Sequence, residues 1–100
     1  DCAHCGRPLR PNVVWFGEPI PRVALQEAAR AVEACDVFFS VGTSSLVYPA
    51  AALAETALSC QAVVVEINLN PTPLSSRADF ALQGAAGQWL PALTDLVGRD

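Results

Sequence analysis

Two short, almost uninterrupted runs of apolar residues constrain the fold of this chain more than any other feature. They span Val37–Val41 (VFFSV) and Ala62–Ile67 (AVVVEI). Such runs are typical of parallel strands buried on both faces, because helices cover both sides of a parallel sheet. We therefore expect both runs to be strands of one parallel sheet.

The spacing of apolar residues around these strands predicts the order of the remaining elements. Helical periodicity occurs before the first strand, between the strands and near the end of the chain. The predicted helices are about Val23–Ala34, about Pro49–Leu58 and about Gln88–Val97, and Phe80–Leu82 is a short third strand. Pro49 suits a first helical position, and Pro91 is expected close to the first turn of its helix. This order predicts an α/β fold with right-handed crossovers, and about half of a doubly wound sheet.

Composition excludes several classes of function. Hydrophobic residues make up 52% of the 100 residues and charged residues 16%, so the chain is too apolar to be disordered. A net charge of −4 argues against a nucleic-acid partner, and every apolar run is too short to cross a membrane. The start of the chain lacks a signal-peptide pattern and the sequence lacks Met, which favours an excised piece of a larger protein. Cys35 and Cys60 lie in apolar surroundings and are expected to be buried, in a reduced, cytoplasmic protein.

The residues that follow the two strong strands are candidates for ligand binding. Gly42, Thr43 and Ser44 follow the first strand, where open α/β sheets bind ligands, although a plain turn with a Ser or Thr helix cap explains them equally well. Asn68 follows the second strand and could hold a ribose hydroxyl, or could simply tolerate a left-handed turn.

Two features near the amino terminus suggest further sites. Cys2 and Cys5 have the spacing of half a tetrahedral zinc site, which needs a second cysteine pair upstream. A redox pair should instead open a helix after a strand, whereas this one precedes Gly6-Arg7-Pro8. The run Val13–Phe16, bracketed by prolines, is either an edge strand or a segment that accepts a peptide by strand addition.

Four motifs, taken together, resemble a known family. They are Cys2-x-x-Cys5-Gly6, the segment LRPNVVWFGE at Leu9–Glu18, Gly42–Ser45 followed by VYPA at Val47–Ala50, and the ending from Ile67-Asn68 to Gly84-x-Ala86-Gly87. In this order they look like the carboxyl-terminal part of a sirtuin, an NAD-dependent protein lysine deacylase. The W-F-G-E form is most similar to the bacterial and desuccinylase-like class.

The resemblance implies a fold and a division of the chain. The expected fold is α/β: the carboxyl-terminal part of a Rossmann-like parallel sheet with helices on both faces, preceded by the end of a small zinc-binding module. Residues 1–21 would contain the end of that module and the substrate-binding segment. Residues 22–100 would form the second half of the NAD-binding domain.

The resemblance also implies roles for individual residues. Cys2 and Cys5 would bind Zn²⁺. The residues expected to contact NAD are Gly42, Thr43, Ser44, Asn68, Leu69, Asn70 and Ala86. The residues expected to bind the acyl-lysine peptide are Val14, Phe16, Gly17, Glu18, Val47 and Tyr48. In such enzymes the acyl oxygen attacks the nicotinamide ribose of NAD, which yields nicotinamide, free lysine and O-acyl-ADP-ribose.

The catalytic machinery that the resemblance implies is incomplete in these 100 residues. The family's catalytic His, glycine-rich NAD loop and first zinc pair match positions upstream of Cys2, and the only histidine here is His4, between the two cysteines. We expect the chain alone to be inactive. The alternatives are a non-catalytic nucleotide-binding α/β module and an unrelated Rossmann-type enzyme domain, but neither explains Cys2-x-x-Cys5 or the LRPNVVWFGE segment.

Overall fold

The computed structural model describes residues 1–99 and has a three-stranded parallel sheet at its centre. Residues 1–21 contain neither a helix nor a strand. The elements that follow are α1 (Arg22–Ala34), β1 (Val37–Val41), α2 (Ala51–Ser59), β2 (Val63–Asn68), β3 (Phe80–Gln83) and α3 (Ala86–Val97). The strand order is β1-β2-β3 with both pairings parallel, which confirms the predicted α/β class.

Helices cover both faces of the sheet, as expected. On one face Val64 packs in a cluster with Val32 of α1 and Ala57 of α2. Side chains alternate along a strand, so Val65 points to the opposite face, where its register partner Phe39 lines a groove with Leu90 and other residues of α3. The sheet is therefore a middle layer between α1 and α2 on one side and α3 on the other.

The prediction of burial on both faces is right for β2 and wrong for β1. Val64 and Ile67 of β2 are completely buried, whereas Val37 and Phe39 of β1 each remain 48% exposed. The reason is incomplete cover of one face: Val37 and Phe39 point to the α3 side, and α3 packs against β2 and leaves that side of β1 largely open.

Helix starts differ from the prediction at two sites. Helix α2 begins at Ala51, two residues after Pro49, and the N-cap residue that precedes it, Ala50, has no side chain that could cap the helix. The reading of Thr43 or Ser44 as a helix cap is therefore wrong. Helix α3 begins two residues earlier than predicted, at Ala86, so Pro91 lies inside the helix beyond its first turn, where it removes one backbone hydrogen-bond donor.

Two further expectations need correction. Cys60 is exposed at the end of α2, and Cys35 is only half-buried, with its Sγ donating to the Val32 carbonyl at 3.2 Å. The run Val13–Phe16 is not an edge strand, since it pairs with none of the three strands of the sheet. Among residues 1–99, none of the helices combines the length and apolarity needed to cross a membrane.

Candidate functional site

The turns after β1 and β2 meet in one groove, as the parallel topology requires. Gly42, Thr43 and Ser44 from the first turn face Asn68 and Asn70 from the second across a volume of about 300 Å³. The remaining wall of this strand-end groove is formed by Leu46, Pro71, Thr72 and Pro73. Five of the seven residues expected to contact NAD are thus brought together by the fold.

The first turn has a backbone conformation that favours glycine at its start. Gly42 has φ +65°, a left-handed conformation that costs glycine little, and its N–H donates to the Ile67 carbonyl at 2.9 Å. The Thr43 hydroxyl accepts the N–H of Ser45 at 3.2 Å, and the Ser45 hydroxyl lies 3.4 Å from that of Ser40. The turn is therefore held by its own polar groups and by the end of β2.

Asn68 ties the two turns together through its carboxamide. Its Nδ2 donates to the Thr43 carbonyl at 2.6 Å, and its Oδ1 accepts the N–H of Leu69 at 2.9 Å. Asn68 is the last residue of β2 and does not have a positive φ, so the reading of a left-handed turn is wrong. The carboxamide sets the distance between the two walls of the groove.

Leu69 and Ala86 do not line the strand-end groove. The Leu69 side chain is exposed, and the Leu69 backbone carbonyl accepts a hydrogen bond from the Gln83 side-chain amide at 3.2 Å. Ala86 is the first residue of α3, beside a compact turn at Gly84. A Cβ on Gly84, whose φ is +146°, would lie 2.8 Å from the indole nitrogen of Trp89, which donates to the Gln83 carbonyl at 3.1 Å.

Glu66 is a functional candidate that the sequence reasoning missed. Only 3% of this residue is exposed, and its carboxylate accepts hydrogen bonds from the hydroxyls of Thr72 and Ser75. The Ser75 hydroxyl in turn accepts the Thr72 N–H at 2.8 Å. The signal was present as the one charged residue in an otherwise apolar buried strand, because a buried carboxylate requires polar partners. These contacts anchor the 72–75 loop, whose first two residues line the strand-end groove.

A second carboxylate, Glu18, holds the exposed segment between residues 10 and 18. The Arg10 guanidinium donates to both of its oxygens, at 2.9 and 3.2 Å, and Glu18 also accepts the Trp15 N–H at 3.1 Å. These contacts lower the pKa of Glu18, and the Arg10 guanidinium lowers it more than the Trp15 N–H does. The sequence reasoning singled out Glu18 without identifying Arg10 as its partner.

The residues expected to bind a peptide are exposed. Phe16 is 91% exposed, and Val14, Val47 and Tyr48 are exposed as well. The Tyr48 hydroxyl donates to the Glu55 carboxylate of α2 at 2.8 Å, which raises the pKa of Tyr48. Both segments are thus anchored to neighbouring residues while their apolar side chains face solvent.

Cys2 and Cys5 lie in a tight turn that brings two thiols together. The Gly6 N–H donates to the Cys2 carbonyl and the Cys2 N–H to the Arg7 carbonyl, both at 2.8 Å. Hydrogen bonds from the backbone of His4 and then of Cys5 lower the pKa of the Cys2 thiol, which favours the thiolate that zinc binds. Residues 1–99 hold no cluster of three or more metal-ligating side chains. Two thiols in one turn match the C-x-x-C spacing of half a four-ligand zinc site.

Comparison with known sequences gives one consistent result. Residues 1–49 match the model of the Sir2 family. An NAD-dependent protein deacylase of Methylococcus capsulatus is 46% identical over 98% of this chain, and one of Mycobacterium leprae is 50% identical over 90%. The chain spans 38% of the length of each of these relatives.

Solved structures of the same family share the fold. A Sir2 homolog in complex with NAD is 44% identical and has a TM-score of 0.86. The match covers 96% of this chain and 38% of that protein. A Sir2 bound to a p53 peptide and NAD⁺ is 29% identical, with a TM-score of 0.83, and the match covers 99% of this chain and 41% of that protein.

Proposed function

Because the chain belongs to the Sir2 family, we propose that the protein containing it is an NAD-dependent protein lysine deacylase. Such an enzyme removes the acyl group from a lysine side chain and produces nicotinamide and O-acyl-ADP-ribose. The observation that carries the proposal is the strand-end groove, in which polar and glycine residues from two adjacent parallel strands face one another.

The groove suits the nucleotide part of NAD. Ser44 brings a hydroxyl and Asn70 a carboxamide to its wall, groups that bind ribose hydroxyls or phosphate oxygens, while Gly42 leaves room for close approach to the backbone. When bound, NAD supplies the ribose carbon that receives the acyl oxygen. The role of Gly42, Thr43, Ser44 and Asn68 is to bind and orient the dinucleotide.

The second substrate is an acyl-lysine peptide. Relatives of this fold have been solved with a p53 peptide and with an acetylated peptide. We propose that the peptide lies along Val14–Glu18 and contacts Val47 and Tyr48 with its other side. The exposed apolar side chains of both segments offer the surface that such binding would bury.

The general base is proposed to come from outside these 100 residues. His4 is the only histidine in the 100 residues. It lies between Cys2 and Cys5 of the proposed zinc turn, so we do not assign it the role of general base. We therefore expect the 100-residue chain alone to show no turnover, and we expect the complete protein to be active.

A deacylation assay tests the function directly. Purified full-length protein is incubated with acetyl- and succinyl-lysine peptides, with and without NAD, and nicotinamide release is measured together with deacylated peptide. We expect equal amounts of both products, formed only when NAD is present. Nucleotide binding without deacylation of any acyl peptide would instead favour a non-catalytic binding module.

Zinc is proposed to have a structural role at Cys2 and Cys5, with the other two ligands from outside the chain. The metal would join the amino-terminal turn to the rest of its module, and contribute to folding without taking part in the reaction. Cys2→Ser should lower the zinc content of the full-length protein, measured by metal analysis, whereas the matched variant Cys60→Ser should keep it. A cytoplasmic location without nucleic-acid or membrane partners stays a prediction from composition.

A further inference from the structure

Arg10 closes the segment between residues 10 and 18 through several contacts at once. Besides its two hydrogen bonds to the Glu18 carboxylate, its Nη2 donates to the Val13 carbonyl at 3.0 Å. Its guanidinium carbon also lies 5.7 Å from the centre of the Trp15 ring, within the range of a cation–π contact. A planar guanidinium with its fork of donors makes these contacts together, and an ammonium cannot.

A turn at residues 15–18 completes the same structure. The Glu18 N–H donates to the Trp15 carbonyl at 3.0 Å, while the Trp15 N–H donates back to the Glu18 carboxylate at 3.1 Å. Gly17 has φ +85°, the conformation that the third residue of a type II turn requires. Arg10, Trp15 and Glu18 therefore hold the ends of the segment around Val13–Phe16.

Neither side chain of the ion pair is buried, since that of Arg10 is 56% exposed and that of Glu18 41%. Exposed ion pairs add little to the stability of a whole protein, so the main effect of this pair is on local order. A binding segment that is already ordered before its ligand arrives loses less conformational entropy on binding.

We propose that Arg10, acting through Glu18 and Trp15, is a positioning residue that holds Val14–Gly17 in the conformation that binds the acyl-lysine peptide. This inference rests on the proposed function. It also assigns Glu18 a role within its own segment, because its carboxylate already accepts the donors of Arg10 and Trp15. The peptide contacts then come from Val14, Phe16 and the backbone.

Steady-state kinetics of Arg10→Lys in the full-length protein test this inference. The variant keeps the charge and loses the fork of donors, so we expect the KM for an acyl-lysine peptide to rise about tenfold. We expect kcat at saturating peptide, the KM for NAD and the melting temperature to stay near wild type. Arg30→Lys, on the exposed surface of α1, is the matched control and should leave all four quantities unchanged.

Glu18→Gln and Glu18→Asp provide a second, independent measurement. Gln keeps an acceptor without the charge, and Asp keeps the charge on a shorter stem, so the KM for peptide should rise in both and more in Gln. An unchanged peptide KM in both Arg10→Lys and Glu18→Gln overturns the inference. So does an equal rise in the KM values for peptide and NAD, or a lowered melting temperature, because either shows a general structural role. If wild-type protein shows no NAD-dependent deacylation, the proposed function itself is wrong.

Discussion

Two carboxylates anchor two loops in this molecule, and their surroundings differ sharply. Glu66 is buried beneath the 72–75 loop and accepts hydrogen bonds from Thr72 and Ser75, whereas Glu18 lies in the open and holds Arg10 and Trp15. A buried carboxylate that loses its hydrogen-bond partners destabilises the folded state, whereas an exposed carboxylate that loses them is hydrated by solvent. The same carboxylate chemistry therefore stabilises the fold at Glu66 and orders a surface segment at Glu18.

Removing the buried carboxylate should have the largest effect. Glu66→Ala leaves the Thr72 and Ser75 hydroxyls without their acceptor and opens a space beside β2. We expect a loss of about 3 kcal/mol in the free energy of unfolding, measured by urea denaturation of the full-length protein. Glu27→Ala, on an exposed position of α1, should change this free energy by less than about 0.5 kcal/mol. Equal effects of Glu66→Ala and Glu27→Ala would show that the buried carboxylate contributes no more to the free energy of unfolding than an exposed one.

Removing one of the two donors should have a smaller effect on the same site. Ser75→Ala deletes one hydrogen bond to the buried carboxylate and the acceptor of the Thr72 N–H, and it leaves the bond from the Thr72 hydroxyl to Glu66. A hydrogen bond to a charged group contributes about 1.5 kcal/mol or more, so we expect a loss near that value in the same denaturation assay. Ser59→Ala, whose hydroxyl donates only to the exposed turn of its own helix, is the control. A loss as large as that of Glu66→Ala would mean that Ser75 alone holds the carboxylate.

The loop beside Glu66 also borders the strand-end groove, which is the proposed nucleotide site. A substitution in this groove should therefore raise the KM for NAD and leave the KM for peptide nearly unchanged. Asn68→Ala removes the bond to the Thr43 carbonyl and leaves the Gly42 N–H bond to the Ile67 carbonyl in place. We expect the KM for NAD to rise about fivefold, in line with the loss of about 1 kcal/mol for one hydrogen bond. The peptide KM should stay within about twofold of wild type. A peptide effect as large as the NAD effect would contradict the assignment of this groove to the nucleotide.

Acidification should release the exposed anchor with the smallest effect on the fold. The pKa of Glu18 is lowered by the Arg10 guanidinium and by the Trp15 N–H, so the contacts are complete above the carboxyl's ordinary pKa. They are lost as the pH falls through the lowered value, when the protonated carboxyl no longer holds Arg10. Trp15 fluorescence in a Trp89→Phe background should therefore titrate below the ordinary range of a Glu. The same titration in Glu18→Gln is expected to be flat.

Much of the fold could be predicted from local patterns, and the two anchors could not. The apolar runs at β1 and β2 predict a parallel sheet, and the sheet alone brings Gly42 and Asn68 to one edge. The pairing of Glu66 with Ser75 depends on how the loop after β2 folds back, and that of Arg10 with Glu18 on a turn without regular structure. Periodicity carries no information about either path. The exposure of Cys60 is missed for the same reason, because it depends on where α2 ends relative to the sheet.

The crosslink made by Asn68 has a consequence for substitution at this position. The Asn68 amide joins the turn after β1 to the end of β2, alongside the bond from the Gly42 N–H to the Ile67 carbonyl, so movement of one wall of the groove is coupled to movement of the other. Aspartate has nearly the same shape but presents oxygen where Asn68 presents nitrogen. A charged carboxylate oxygen would then face the Thr43 carbonyl oxygen, and the repulsion between them would push the two turns apart.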